Sequence, residues 1–283
     1  MQQLRFWLQV SRPRFWIYIF GPFLIGSICA ISDKTELLNP KFWLFAPFFL
    51  IFANLLIYGI NDIFDYETDV LNAKKQDYET LVTPERRSKL WLAILLTTLP
   101  FLILTVFQNL STILAMIGFL FFSIFYSAPP IRAKTIPVLD SIFNILYIFP
   151  GIFAYFLLGG TNLPWEIVLA GTCWVMAMHA YSAVPDIDAD QAAGFKTVAT
   201  LLGGKGTLIF CAVLYLSAGI LTFKYLGIFS AIASICYLAM MLISLWNYSQ
   251  AHVFAVYRYF PWLNTIIGFA LFWFIAISKF FKN

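Results

Sequence analysis

The residues able to do chemistry in this 283-residue chain are concentrated in two short windows. Asn61, Asp62, Asp65, Glu67 and Asp69 close the segment LLIYGINDIFDYETD, and Asp186, Asp188 and Asp190 close HAYSAVPDIDAD. These windows hold seven of the fourteen carboxylates in a chain that is only 11% charged. An offset of 121 positions lays Asp65 on Asp186, Glu67 on Asp188, Asp69 on Asp190 and Lys75 on Lys196, so both windows read D-x-[ED]-x-D-x5-K. Carboxylates this close repel one another and resist desolvation, so acids set beside hydrocarbon need a neutralising partner. A hard divalent cation such as Mg2+ meets that need, because it takes oxygen ligands and is commonly held by one or two carboxylates plus substrate phosphates. Two such clusters facing a shared cavity would suit a diphosphate bridged by two or more ions.

The spacing sets requirements on the elements that carry these groups. On a helix, positions 62, 65 and 69 follow i, i+3, i+7 and positions 186 and 190 follow i, i+4, so each set is expected to line one face. Asn61 adds a neutral oxygen ligand. Pro185 removes a backbone donor directly before Asp186 and is expected to break or start a helix there, exposing polar backbone that can line a cavity. Positive charge for a diphosphate is available from Arg132 and Lys134, just beyond Pro129 and Pro130. Arginine offers a fork to phosphate oxygens and lysine a mobile point charge. Lys75, Lys196, Lys205 and Arg12 are further candidates. Most of the aromatic residues, 19% of the chain, are expected to pack or anchor at the interface. Tyr126 and Tyr181 lie near the functional ends of their helices, where a ring could steady an allylic cation. His179 could bond an acceptor or a backbone carbonyl.

Composition decides where these elements sit. With 61% apolar residues and a mean hydropathy of +0.82, the chain is an all-α polytopic membrane protein rather than a soluble domain. Crossing the hydrocarbon takes roughly 20 apolar residues per helix. About nine such runs occur, near 15–32, 42–60, 90–107, 110–126, 138–158, 165–182, 206–223, 226–246 and 260–278. The first is read as a retained span, since no convincing small-residue cleavage site follows it. Cys29, Cys173, Cys211 and Cys236 are scattered singly in apolar runs, which argues for packing. One face collects thirteen of the eighteen basic residues, from Arg5, Arg12 and Arg14 through Arg132 and Lys134 to Arg258. The positive-inside bias then puts the N-terminus and both acidic windows on the cytoplasmic side and the C-terminus outside. The net charge of +4 is thus a topology signal, with no indication of nucleic-acid binding. No polar linker divides the chain, so residues 1–283 are expected to form one transmembrane domain of two related halves, about 1–126 and 127–283. Paired polar segments in such halves point to the site.

These residues resemble the UbiA-type superfamily of intramembrane prenyltransferases. The resemblance rests on NDIFDYETD at 61–69, matching N-D-x-x-D-x-x-x-D, on DIDAD at 186–190, matching D-x-x-x-D, on YSAPPIRAK at 126–134, and on Arg12 with Pro13. It implies Mg2+-dependent transfer of a prenyl group from its diphosphate to a lipophilic acceptor within a bundle of about nine helices. On that resemblance Asn61, Asp62, Asp65, Asp69, Asp186 and Asp190 would hold the ions, and Arg132 and Lys134 would bind the diphosphate. Lys196 and Arg12 join them as diphosphate ligands on their charge, and Asp65, Asp69, Asp186, Asp190 and Tyr126 are the expected catalytic residues. The run HAYSAVPDIDADQAAGFKTVATLLG at 179–203 is most similar to the lycopene elongase branch, which implies a five-carbon donor and a carotenoid acceptor. An aromatic quinone precursor is the alternative acceptor, and a cation-coupled transporter is the alternative from another class. Asp188 and Glu67 are candidates for the final base. No obligate protein partner is inferred.

Overall fold

The structure, a computed structural model, describes residues 2–66, 70, 80–192 and 194–281. Its α-helices are α1 (Gln2–Val10), α2 (Trp16–Ala30), α3 (Pro40–Pro47), α4 (Ala53–Phe64), α5 (Arg87–Val106), α6 (Leu110–Ser127), α7 (Leu139–Ile142), α8 (Phe149–Leu157), α9 (Trp165–Ala183), α10 (Ile187–Ala192), α11 (Val198–Leu226), α12 (Ile228–Leu245), α13 (Gln250–Tyr257) and α14 (Phe260–Phe280). No strand occurs among the described residues. Nine stretches of these residues are long and apolar enough to cross a bilayer, each overlapping one of the expected runs. The first, sixth and last extend furthest beyond expectation, to Gln3–Ala30, Trp165–Ala192 and Gln250–Phe280. Short helices flanking those apolar runs continue their path.

The chain is organised as two compact units, drawn differently from the contiguous halves 1–126 and 127–283. The first takes the chain as far as Arg132, then Phe149–Thr161 and the stretch from Ile275 onward. In it α2 packs closely on α8 through two glycines. A Cβ on Gly26 would lie 2.1 Å from the Gly151 carbonyl oxygen, and one on Gly151 would lie 2.9 Å from the Pro22 carbonyl oxygen. Lipid tails are as apolar as leucine, so close backbone approach through small residues is a principal way membrane helices gain contact. Around this seam the phenylalanines interlock: Phe45 meets Phe153 at 4.9 Å between ring centroids, Phe49 meets Phe153 at 5.0 Å and Phe23 meets Phe49 at 5.1 Å. Each such pair adds about 1 kcal/mol beyond its burial. Lys279 donates to the Ile28 and Cys29 carbonyls at 3.2 and 2.6 Å, placing positive charge at the C-terminus of α2, where the helix dipole favours it. The outward side chains of α5, among them Leu92, Leu95, Leu96, Leu99 and Ile103, remain exposed, a surface suited to lipid tails.

The second unit comprises 133–148 and 162–274. Its core joins α9, α11 and α12 around Ala177, Tyr181, Cys211, Tyr215, Tyr237 and Met241, with Phe260 from α14. Several buried polar groups here bond across helices. Tyr181 and Ser244 share a hydrogen bond of 2.8 Å, the Tyr237 hydroxyl donates to Asn264 at 2.9 Å, and the Ser234 hydroxyl donates to the Tyr215 carbonyl at 2.8 Å. Such bonds hold together membrane helices that gain little from hydrophobic burial.

Candidate active site

In the first unit the acidic window sits at the end of α4. Asn61 and Asp62 occupy its last turn, and Asp65 follows as the C-cap with φ −112° and ψ 4°. The expected single helical face through positions 62, 65 and 69 is therefore interrupted after Phe64, while Asp69, Glu67, Lys74 and Lys75 lie outside the described residues. Asp62 and Asp65 are only 2% and 4% exposed. Each faces an arginine: Arg12 Nη2 donates to Asp62 Oδ1 at 2.9 Å, and Arg132 Nη2 donates to Asp65 Oδ1 at 3.3 Å. Arg132 also reaches the Phe64 carbonyl at 3.3 Å. It thus places a cation and a donor at the helix end, where the carbonyls lack partners within the helix. Asn61 Nδ2 donates to Ser127 Oγ at 2.9 Å, so the end of α6 fixes the carboxamide and turns Oδ1 away from Ser127.

Both arginines adopt a left-handed backbone. Arg12 has φ 50° and Arg132 φ 47°, a conformation that costs a non-glycine residue about 1 kcal/mol and that clusters at functional sites. Around Arg12 the chain leaves α1 through an Arg12 amide bond to the Gln9 carbonyl at 3.0 Å, then enters a 3-10 turn at Pro13–Phe15. Pro13 disfavours right-handed helix at the residue before it, which explains how an Arg-Pro pair makes this corner. The guanidinium lies over the Tyr58 ring, 4.6 Å from its centroid, so the ring and Asp62 fix it from two directions. Arg12→Ala removes one member of a buried ion pair and is expected to destabilise the protein by about 3 kcal/mol. Adding Asp62→Asn should recover most of that loss in thermal unfolding.

The second window lies in the second unit. α9 stops at Ala183, Val184–Asp186 forms a 3-10 turn around Pro185, and α10 follows. This is the interruption expected of Pro185. Asp186, in the 3-10 turn, and Asp190, in α10, are half-buried, whereas Asp188 between them is exposed. Lys134 is half-exposed in a 3-10 turn at Ala133–Thr135, and Lys196 is exposed. The Lys205 ammonium sits 5.7 Å from the Tyr248 ring centroid. Tyr126 is half-buried in the last turn of α6. Tyr181 is fully buried, with its ring edge-on to Tyr257 and Phe260 at 5.3 Å each. It therefore packs in the core, where the sequence had suggested a site ring.

Sequence reasoning missed the two Asp–Arg pairings, since nothing local joins residues 50 or 67 positions apart. It also missed Ser127 and Asp140. Asp140 carried a usable signal, a lone acid opening an apolar run, which in a membrane segment deserves a functional reading by default.

Among the described residues no three His, Cys, Asp or Glu side chains converge into a closed ligand cage. The acids come in pairs, Asp62 with Asp65 and Asp186 with Asp190, and Asn61 adds a neutral oxygen. Oxygen-only donor pairs fit Mg2+, which keeps several ligand positions for water and phosphate. Fold and site together define a polytopic helical membrane enzyme with two separate acidic sets. The chain belongs to the UbiA prenyltransferase family, whose model matches residues 19–258. It is 33% identical over 276 residues to a lycopene elongase/hydratase of Haloarcula japonica, an alignment covering 94% of this chain and 89% of that one. It is 32% identical over 278 residues to a lycopene elongase/hydratase of Corynebacterium glutamicum, covering 95% of each. Among solved structures, a UbiA homolog from Archaeoglobus fulgidus bound to GPP and Mg2+ superposes with a TM-score of 0.69 at 23% identity, covering 96% of this chain and 99% of that one. The protein is thus an integral membrane prenyltransferase, and family membership displaces the transporter alternative.

Proposed function

We propose that this prenyltransferase moves a five-carbon prenyl group from dimethylallyl diphosphate to a carotenoid end such as that of lycopene, with Mg2+ as cofactor. The observation that carries the reading is the pair of buried carboxylates, Asp62 and Asp65, each held by an arginine at the end of one membrane helix. Asn61, Asp62, Asp65, Asp69, Asp186 and Asp190 would hold the ions. Bound there, Mg2+ stabilises negative charge developing on the diphosphate leaving group. Arg12 and Arg132 keep the carboxylates oriented, and their guanidinium forks suit diphosphate oxygens. Lys134 and Lys196 supply mobile positive charge, and apolar walls keep water from the allylic cation. Tyr126 would steady that cation. The carotenoid acceptor is supported by relatives named lycopene elongase/hydratase that align over nearly the whole chain. Relatives named 4-hydroxybenzoate octaprenyltransferase align over 66% of it. The positive-inside bias supports a cytoplasmic N-terminus and an outside C-terminus.

An acceptor competition tests the reading. Purified protein given dimethylallyl or longer prenyl diphosphates, Mg2+, lycopene and 4-hydroxybenzoate should deliver the five-carbon unit to lycopene at least tenfold faster than any group to the aromatic acid. Faster transfer of a long chain to 4-hydroxybenzoate would place the protein with the quinone branch.

A further inference from the structure

His179 and Asp140 form a second polar feature of the second unit, separate from the acidic pair. Asp140 opens the short helix α7 and is completely buried. Its Oδ2 accepts the Val198 amide at 2.9 Å, at the start of α11, and faces His179 Nε2 at 3.6 Å. Its Oδ1 is buried with no hydrogen-bond partner among the described residues. A buried carboxylate oxygen left this way is costly, so its retention calls for a reason beyond capping α11. His179 is 19% exposed. It lies on α9, seven residues before Asp186, and α9 ends at Ala183 just before the 3-10 turn that carries Asp186. The chain has two histidines, and the other, His252, meets the Ile243 carbonyl at 2.9 Å. Asp188, a candidate base from the sequence, is exposed, and Glu67 lies outside the described residues.

We infer that His179 takes the proton released at the end of prenyl transfer, with Asp140 as its positioning residue. The inference rests on the prenyl-transfer reading above. As the bond from the prenyl carbon to the diphosphate oxygen breaks, that carbon bonds to an alkene carbon of the acceptor and leaves a cation on the acceptor. That cation can lose a proton from the adjacent carbon, whose C–H electron pair closes a new double bond. It can instead add water, whose oxygen bonds to carbon and which must then lose one proton. Either route yields one proton, and the imidazole accepts it. Asp140 faces the resulting imidazolium and holds the ring in place before passage of the proton to solvent.

The test compares His179→Gln and Asp140→Asn with wild type in the full-length protein, given dimethylallyl diphosphate, lycopene and Mg2+. Three quantities are read: donor consumed, prenylated acceptor formed, and free five-carbon alcohol formed. Asparagine at 140 keeps an acceptor for the Val198 amide, and the product-to-donor ratio does not depend on how much of the sample is folded. His179→Gln should consume donor within about fivefold of wild type yet form about 100-fold less prenylated acceptor per donor consumed, the scale of lost general-base catalysis. An acceptor cation that keeps its proton should revert by breaking the new carbon–carbon bond, and the prenyl cation so released should add water, lose one proton to solvent and appear as free alcohol. Asp140→Asn should lower the same ratio about tenfold, within the range of general-base catalysis. Ratios equal to wild type in both variants would overturn the inference while leaving the prenyl-transfer reading intact. Wild-type protein that consumes no donor would overturn that reading and this inference with it.

Discussion

Asp65→Ala and Asp190→Ala should each lower prenyl transfer by about 10³-fold, the scale expected when several kcal/mol of charge stabilisation are lost from a leaving group. The structural consequences should differ. Asp65 is 4% exposed and pairs with Arg132 at the end of α4, so its removal also breaks a buried ion pair and should reduce stability. Asp190 is half-buried, and its loss should cost activity with little change in thermal unfolding. Asp188→Ala is the control, because its side chain is exposed whereas Asp186 and Asp190 are half-buried. It should keep activity within about threefold, since exposed substitutions away from special features usually cost under about 0.5 kcal/mol. Equal losses in Asp188→Ala and Asp190→Ala would overturn the assignment of Asp190, rather than Asp188, to the site.

A large loss of stability is also expected of Gly26→Ala. The new methyl would lie 2.1 Å from the Gly151 carbonyl oxygen and 2.8 Å from its Cα. Both are backbone atoms, so no side chain can rotate away and α2 must move off α8. Overpacking of this kind costs about 3 kcal/mol. α2 begins just after the corner that aims Arg12 at Asp62, so the displacement should also weaken that pair and carry activity down with stability. Gly268 has nothing within 4 Å of an added Cβ, and alanine there should stay within about 1 kcal/mol of wild type, the range of helix propensity. Thermal unfolding in detergent checks both, and a Gly26→Ala protein as stable as wild type would mean that the two helices do not approach as closely as described.

The spans were legible because hydrocarbon thickness imposes a length and an apolarity that composition alone reveals. The break at Pro185 was legible because proline acts locally. The end of α4 was not. No breaker stands at Asp65, and the helix end is met by Arg132, which the sequence places beyond the next two spans. The Arg12 corner was half legible: Pro13 marked a turn, but the partner of its arginine is decided by packing. Tyr181 was misjudged because nearness to an acidic window along a helix does not say which way a ring points. The Asp140–His179 pair was hidden for a related reason, since its members lie on different helices and neither signal names the other as its partner.

The most direct test of the central claim is the fate of radiolabelled dimethylallyl diphosphate given to the purified protein with lycopene, with Mg2+ and with a chelator. The account predicts pyrophosphate release matched one for one by label in the carotenoid, present with Mg2+ and abolished by chelation. Equal transfer in the presence of the chelator, or no transfer with Mg2+ present, would contradict it.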